Sequence, residues 1–285
     1  MRFQHHKTGT IACLAILLMV LLRFEARAAD KVIFDRPASA ADHRREYANA
    51  LLRQVMERTV PEFGPYTISY AHTHMERPRL FEVLKEGRLV NVTAYPADAR
   101  WLKELLSVPV PIDMGLQSWR IALIDKRQQA RMRRLRLPGE LKQLKAGVGI
   151  AWVTTASLRD NGFAVVTGGS YDGLFEMLMA GRFDYMPRGA HEAWSEEKVQ
   201  QGLIVEPTLF LHYRAPFYFF VNRDNTELAE RIERGLKMAL ADGSFERLLN
   251  RYPDFRRGLA EIAARKRTVL ELELPNRRGP IAGGS

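Results

Sequence analysis

The chain has 285 residues, 46% hydrophobic and 27% charged, with 43 Lys and Arg against 33 Asp and Glu for a formal net charge of +10. Its one cysteine, Cys13, lies in an N-terminal apolar segment, which excludes disulfides, thiolate catalysis and thiolate metal sites from the rest of the chain. The basic balance points to nucleic acid, an anionic membrane surface or an anionic small ligand as partner.

Arg2 and Lys7 precede an apolar run over residues 11–22, and Ala26-Arg27-Ala28 supplies a small-x-small cleavage pattern. This predicts a signal peptide over 1–28 and a mature chain beginning at Ala29; the run is too short for a transmembrane helix. Residues 31–35 read as a strand, with Pro37 opening a loop and Asp42 as N-cap of a helix to about Arg58 that turns Tyr47, Leu51, Leu52, Val55 and Met56 inward. Residues 67–71 alternate as a strand. Residues 119–124 (WRIALI) form a clear strand and the best candidate for a first hinge.

Lys126, Arg127, Arg131, Arg133, Arg134 and Arg136 crowd the next segment, and Arg256, Arg257, Arg265, Lys266 and Arg267 crowd another near the C-terminus. No aromatic residue interleaves either run, so both read as solvated faces and not as a nucleic-acid surface. Further strands are expected at 148–151, 163–166, 203–205 and 217–222, with helices from Thr154 or Thr155, over 170–180, 189–200 and 227–241. A charged helix follows Pro253, and residues 274–285 read as a disordered tail.

One nine-residue pattern occurs twice. Residues 80–88 (LFEVLKEGR) and 174–182 (LFEMLMAGR) share Leu, Phe, Glu, Leu, Gly and Arg at identical spacing. Each copy reads as the end of an amphipathic helix with a C-terminal glycine, followed by a short apolar strand, at 89–92 and 183–186. Solenoid periods run to about 50 residues, and these copies lie much further apart. Two α/β lobes with mainly parallel sheets account for them, and ligands bind at the carboxyl ends of such strands.

From the second copy to Arg251 the chain resembles the extracellular solute-binding proteins of family 3, the polar amino-acid receptors of ABC transporters. The carrying segments are residues 148–155 (VGIAWVTT), 170–184 (SYDGLFEMLMAGRFD) and 240–245 (LADGSF). The resemblance implies an α/β fold of the type 2 periplasmic-binding-protein class: a two-lobe clamp with two hinge strands. Residues 31–120 plus 214–285 would form lobe one and 121–213 lobe two. It also implies a monomer in the periplasm that captures a small ligand for an ABC permease or a membrane sensor, without a cofactor or catalysis.

The resemblance further implies site residues. Arg100 ends a loop after the first strand and stands where the family grips a carboxylate. Thr154 and Thr155 match its paired hydroxyls at a helix start. Trp152 and Tyr95 are candidates to stack on a ligand, and Arg36 lies in the short opening loop. The family places an Asp five residues after the position of Asp184 to hold an ammonium group; this chain has Gly189 there, after Arg188. Arg100 with Arg188 therefore suits a carboxylate or other anion better than an amino acid, with Glu192 as a weak substitute for the missing Asp.

His72 and His74 share a strand face without a third ligand nearby, so no metal is expected. No H-E-x-x-H, G-x-S-x-G or Walker pattern occurs. An enzyme on the same clamp, resembling cyclohexadienyl dehydratase, is the alternative, with His191, Glu192 and Asp98 as its candidate acid or base. A degenerate clamp serving as an interaction module is a third reading.

Overall fold

The structure, a computed structural model, describes residues 29–37, 43–135 and 138–273. The expected signal peptide, the expected Asp42 cap and the tail 274–285 lie outside these residues. The strands are β1 Asp30–Arg36, β2 Tyr66–His74, β3 Val92–Pro96, β4 Leu106–Ser107, β5 Trp119–Asp125, β6 Lys145–Gly149, β7 Ala164–Gly168, β8 Met186–Gly189, β9 Leu203–Val205, β10 Leu209–His212, β11 Phe217–Val221 and β12 Thr268–Glu271. The α-helices are α1 Glu46–Arg58, α2 Val60–Phe63, α3 Arg77–Glu86, α4 Ala99–Glu104, α5 Gln129–Met132, α6 Val153–Asp160, α7 Tyr171–Met179, α8 Ala193–Val199, α9 Thr226–Ala241, α10 Ser244–Leu249 and α11 Pro253–Ala264.

The first sheet has the order β2-β1-β3-β11-β4, parallel except for β11, which runs antiparallel to both neighbours. The second repeats this plan. β7 and β6 pair in parallel, an isolated bridge joins Ala146 to Tyr185 just before β8, and β8 and β9 each pair antiparallel with β5. Through that bridge the strands lie in the order β7-β6-β8-β5-β9, and β10 with β12 beside it extends the sheet at the start of β5. In both sheets the antiparallel strand is the segment that crosses from the other half of the molecule.

The duplicated nine-residue pattern sits at the same place in each half. Leu80, Phe81, Leu84, Leu174, Phe175 and Leu178 are all buried, and their burial drives both helices onto their sheets. Gly87 and Gly181 take the left-handed conformation that ends each copy, at φ 68° and 69°. The strands that follow begin later than the sequence suggests, at Val92 and Met186. Polar side chains occupy the positions before them. Asn91 Oδ1 accepts the Ile33 N–H at 2.7 Å and its amide donates to the Lys31 carbonyl, while Asp184 accepts the Lys145 N–H at 2.7 Å.

The expectation for residues 189–200 also changes. Gly189 belongs to β8, and the helix begins only at Ala193. The C-terminal region differs more. Residues 268–271, expected with lobe one, pair in parallel with β10, which itself pairs with the start of β5. Thr268 and Val269 are β-branched in a short alternating run, and that preference prevails over the flanking charge. α9 packs along α1, and its Arg231 is fully buried. That guanidinium donates to Asp30 at 2.7 Å, the Gly64 carbonyl at 2.7 Å and Thr59 Oγ1 at 3.0 Å, tying β1 to the end of α1 and to α9.

Among the described residues no helix is long and apolar enough to cross a membrane, and no group of three or more side chains could hold a metal ion. His74 contacts the Arg36 carbonyl and Glu76.

Candidate functional site

β3 and β8 end at a recess of about 610 Å³ between the two sheets. Lobe one contributes Arg44 and Arg45 from the approach to α1, with Tyr95 and Pro96 from β3. The crossing strands contribute Arg120 from β5 and Phe217 from β11. Lobe two contributes Trp152, Val153 and Thr154 at the start of α6, and Arg188, His191 and Glu192 at and beyond the end of β8. Four arginines and a single carboxylate therefore line it.

Most of that positive charge is held from behind. Arg45 pairs with the buried Asp35 at 2.8 Å and donates to the Ala94 carbonyl at 2.6 Å; Asp35 also accepts from Thr93 Oγ1 at 2.5 Å. Arg188 is buried beneath the Trp152 ring, 4.7 Å from its centroid, and makes a bidentate pair with Glu196 at 2.6 and 2.7 Å. Glu192 stands 3.2 Å from the same guanidinium. Burial alone would lower the Arg188 pKa, but the two carboxylates outweigh it and hold it well above the ordinary range. For Glu192 burial acts to raise the pKa, yet Arg188, His191, Arg120 and Arg44 prevail and hold it well below the usual carboxylate value.

Arg120 is different. It is 5% exposed, and its Nε donates to Tyr213 Oη at 3.0 Å. Its terminal nitrogens make no hydrogen bond among the described residues; the nearest carboxylate is Glu192, at 3.8 Å. Tyr213 Oη also meets Thr154 Oγ1 at 2.7 Å, so the hinge arginine, the tyrosine and the first turn of α6 form one chain. The terminal guanidinium nitrogens are donors this recess offers, and the start of α6, at Val153 and Thr154, forms part of its wall.

A carboxylate stands at Gly189 although the residue itself has none. A Cβ at this position would stand 2.8 Å from Glu192 Oε2, because the Glu192 side chain curls back to accept the Gly189 N–H at 2.8 Å. A carboxylate is thus present at the end of β8, supplied from three residues further on and already engaged by Arg188.

The recess gathers Tyr95, Trp152, Thr154, Arg188, His191 and Glu192 of the residues singled out in the sequence. Tyr95 stacks on Trp101 at 4.8 Å with Arg45 and Arg77 over its ring. Three others sit elsewhere. Arg100 is exposed, pairs with Glu82 at 2.7 Å and Glu104 at 3.3 Å, and lines a separate outer recess. Its position at the start of α4 puts it above the Phe81 ring, beside these acids. Thr155 turns its hydroxyl to the Gly149 carbonyl at 2.6 Å and also faces the outer recess. Arg36 is exposed at the end of β1 and does not line the central recess. Arg44, Arg45, Arg120 and Phe217 are among the lining residues that the sequence reading missed, with Pro96, Gln117 and Val153. For Arg120 the signal was a charged residue inside a run whose other members are apolar.

No protein-family profile matches this chain, and no curated protein sequence matches it. Solved structures do. An amino acid ABC transporter substrate-binding protein from Streptococcus pneumoniae bound to L-arginine is 13% identical, with 80% of this chain and 95% of that one covered at a TM-score of 0.60. A histidine kinase sensor domain with similarity to periplasmic binding proteins is 16% identical, covering 80% and 97% at 0.59. An ancestral amino acid-binding protein, described as a precursor of cyclohexadienyl dehydratase, is 14% identical, covering 79% and 96% at 0.59. The fold is that of the periplasmic binding proteins, a two-lobe α/β clamp.

Proposed function

We propose that this chain is an exported, divergent solute-binding protein of the family 3 type, which closes its two lobes on a small organic acid. Arg120 carries the reading. It is a buried guanidinium at the crossing between lobes, facing the recess with terminal nitrogens that no described residue satisfies. A ligand carboxylate supplies the missing acceptors as a bidentate pair. The first turn of α6 and Thr154 offer further donors from lobe two, so one anion engages both halves and favours the closed clamp. Arg188, expected to grip the ligand with Arg100, serves instead to hold Glu192 and Glu196 in place.

The protein acts as a periplasmic monomer that delivers its ligand to an ABC permease or a membrane sensor. Catalysis is not part of this reading. Glu192 stays ionised, which disfavours it as a general acid, and burial keeps His191 neutral, pushing its pKa down to about 4.

A thermal-shift screen over amino acids, mono- and dicarboxylates and phosphorylated metabolites tests the proposal, since a ligand that binds the folded state raises the melting temperature. Acidic compounds without an ammonium group are expected to shift it, and Arg120→Met to weaken their binding by about 10- to 100-fold, the worth of a charge-assisted hydrogen bond. Tight binding of an ordinary amino acid in place of these, or acid binding indifferent to Arg120→Met, overturns it. Turnover of a bound acid establishes the enzyme alternative.

A further inference from the structure

Behind the central recess lies a second and larger one, of about 1110 Å³. The two adjoin through Arg44, His191 and Glu192, which line both. The second differs in character. One wall carries Tyr171 and Phe175 from the start of α7, packed edge to face at 5.1 Å. The facing wall carries Tyr252 and Phe255 at the α10–α11 junction, 5.7 Å apart. Each lobe therefore contributes an aromatic pair to one space. Phe255 also packs on the His191 ring at 4.6 Å, so the aromatic lining reaches the partition itself. Pro253 and Val199 extend the apolar surface to the rim.

We infer that the ligand is an acid with a long apolar or aromatic arm, its carboxylate at Arg120 and its arm passing the Arg44–His191–Glu192 partition into the aromatic recess. This rests on the acid-capture reading and adds the ligand class to it. A compact acid fills the first recess and leaves the half-buried Tyr171 and Tyr252 rings, one from each lobe and each backed by a buried Phe, facing water. An arm of several carbons ending in a ring removes that surface from water on both sides and adds ring-to-ring contact. The polar groups of the partition limit the arm to a chain that carries no charge beside Glu192, which is already matched by Arg188.

Isothermal titration with propionate, 3-phenylpropionate and 5-phenylpentanoate tests the inference, because the three share one head group. Val199 is 67% exposed on the rim of the second recess, so Val199→Trp narrows that recess without disturbing the core. Affinity is expected to rise by at least about tenfold along the series through burial of the arm. Val199→Trp is expected to remove that gain while leaving propionate binding unchanged, and Tyr252→Ala to reduce it. Equal affinity across the series, or a gain that survives both variants, overturns the aromatic arm and leaves acid capture standing. Binding of no member, or binding indifferent to Arg120→Met, overturns acid capture and the arm together.

Discussion

The Glu192 carboxylate accepts the backbone N–H of Gly189 at 2.8 Å and fills the space into which a side chain at 189 would project. The two positions are therefore alternatives: a carboxylate can come from one or from the other. Gly189→Asp alone sets two carboxylates against one arginine face, and is expected to lower stability by about 1–3 kcal/mol. Gly189→Asp combined with Glu192→Ala restores a single carboxylate and should recover most of that loss. Urea denaturation of the two variants decides this; a double variant no more stable than Gly189→Asp refutes it.

His191 gives the clamp a dependence on pH. Burial, with Arg120 and Arg188 adding to it against the pull of Glu192, lowers its pKa to about 4, while the unfolded chain protonates it near its ordinary value of 6.5. Between these values the unfolded state binds more protons, so this residue's contribution is complete above pH 6.5 and is lost as pH falls towards 4. Asp113 works in the opposite sense, since burial raises its carboxyl to about 6 and its contribution falls as pH rises through 4 to 6. Comparison with His191→Phe, which keeps a ring against Phe255, isolates the histidine. The stability difference between the two proteins should change by roughly 3 kcal/mol from pH 7 to pH 4. Parallel pH–stability curves would show that the imidazole titrates normally.

Arg231 carries no chemistry of the cleft, yet it bonds to three separate parts of lobe one from a fully buried position. Arg231→Met leaves the Gly64 carbonyl, Thr59 and Asp30 without their shared donor, and is expected to cost about 3 kcal/mol or more in urea denaturation. Arg231→Lys should recover little, because an ammonium group lacks the planar fork that spans these acceptors. Full recovery by lysine would mean that charge alone matters there.

The lobes were legible because the duplicated segment combines two strong local signals, a buried Leu-Phe pair and a left-handed glycine, and both recur in space as in the chain. The strands after each copy were legible, but not their bounds: β3 and β8 begin at Val92 and Met186, where the sequence reading ended them. Arg100 follows the first repeat strand in the order the resemblance implies, but Glu82 on α3 and Glu104 one turn along α4 hold it away from the central recess. Arg120 was hidden within residues 119–124, where an apolar run reads as a buried strand; its burial and orientation depend on Tyr213, 93 positions away. The Arg188–Glu192–Glu196 cluster has helix-like spacing in the sequence, but the chain turns from strand to helix inside it. Only the folded turn brings both acids to the arginine.

The matching order of the two sheets bears on how such a chain must assemble. In chain order, β5 follows the four strands of the first sheet but completes the second, and β11 follows the four strands of the second but completes the first. β5 is made before the strands it joins and β11 after those it joins, so the first sheet stays open until the chain has passed through the second, and each sheet is held by a strand from beyond the crossing.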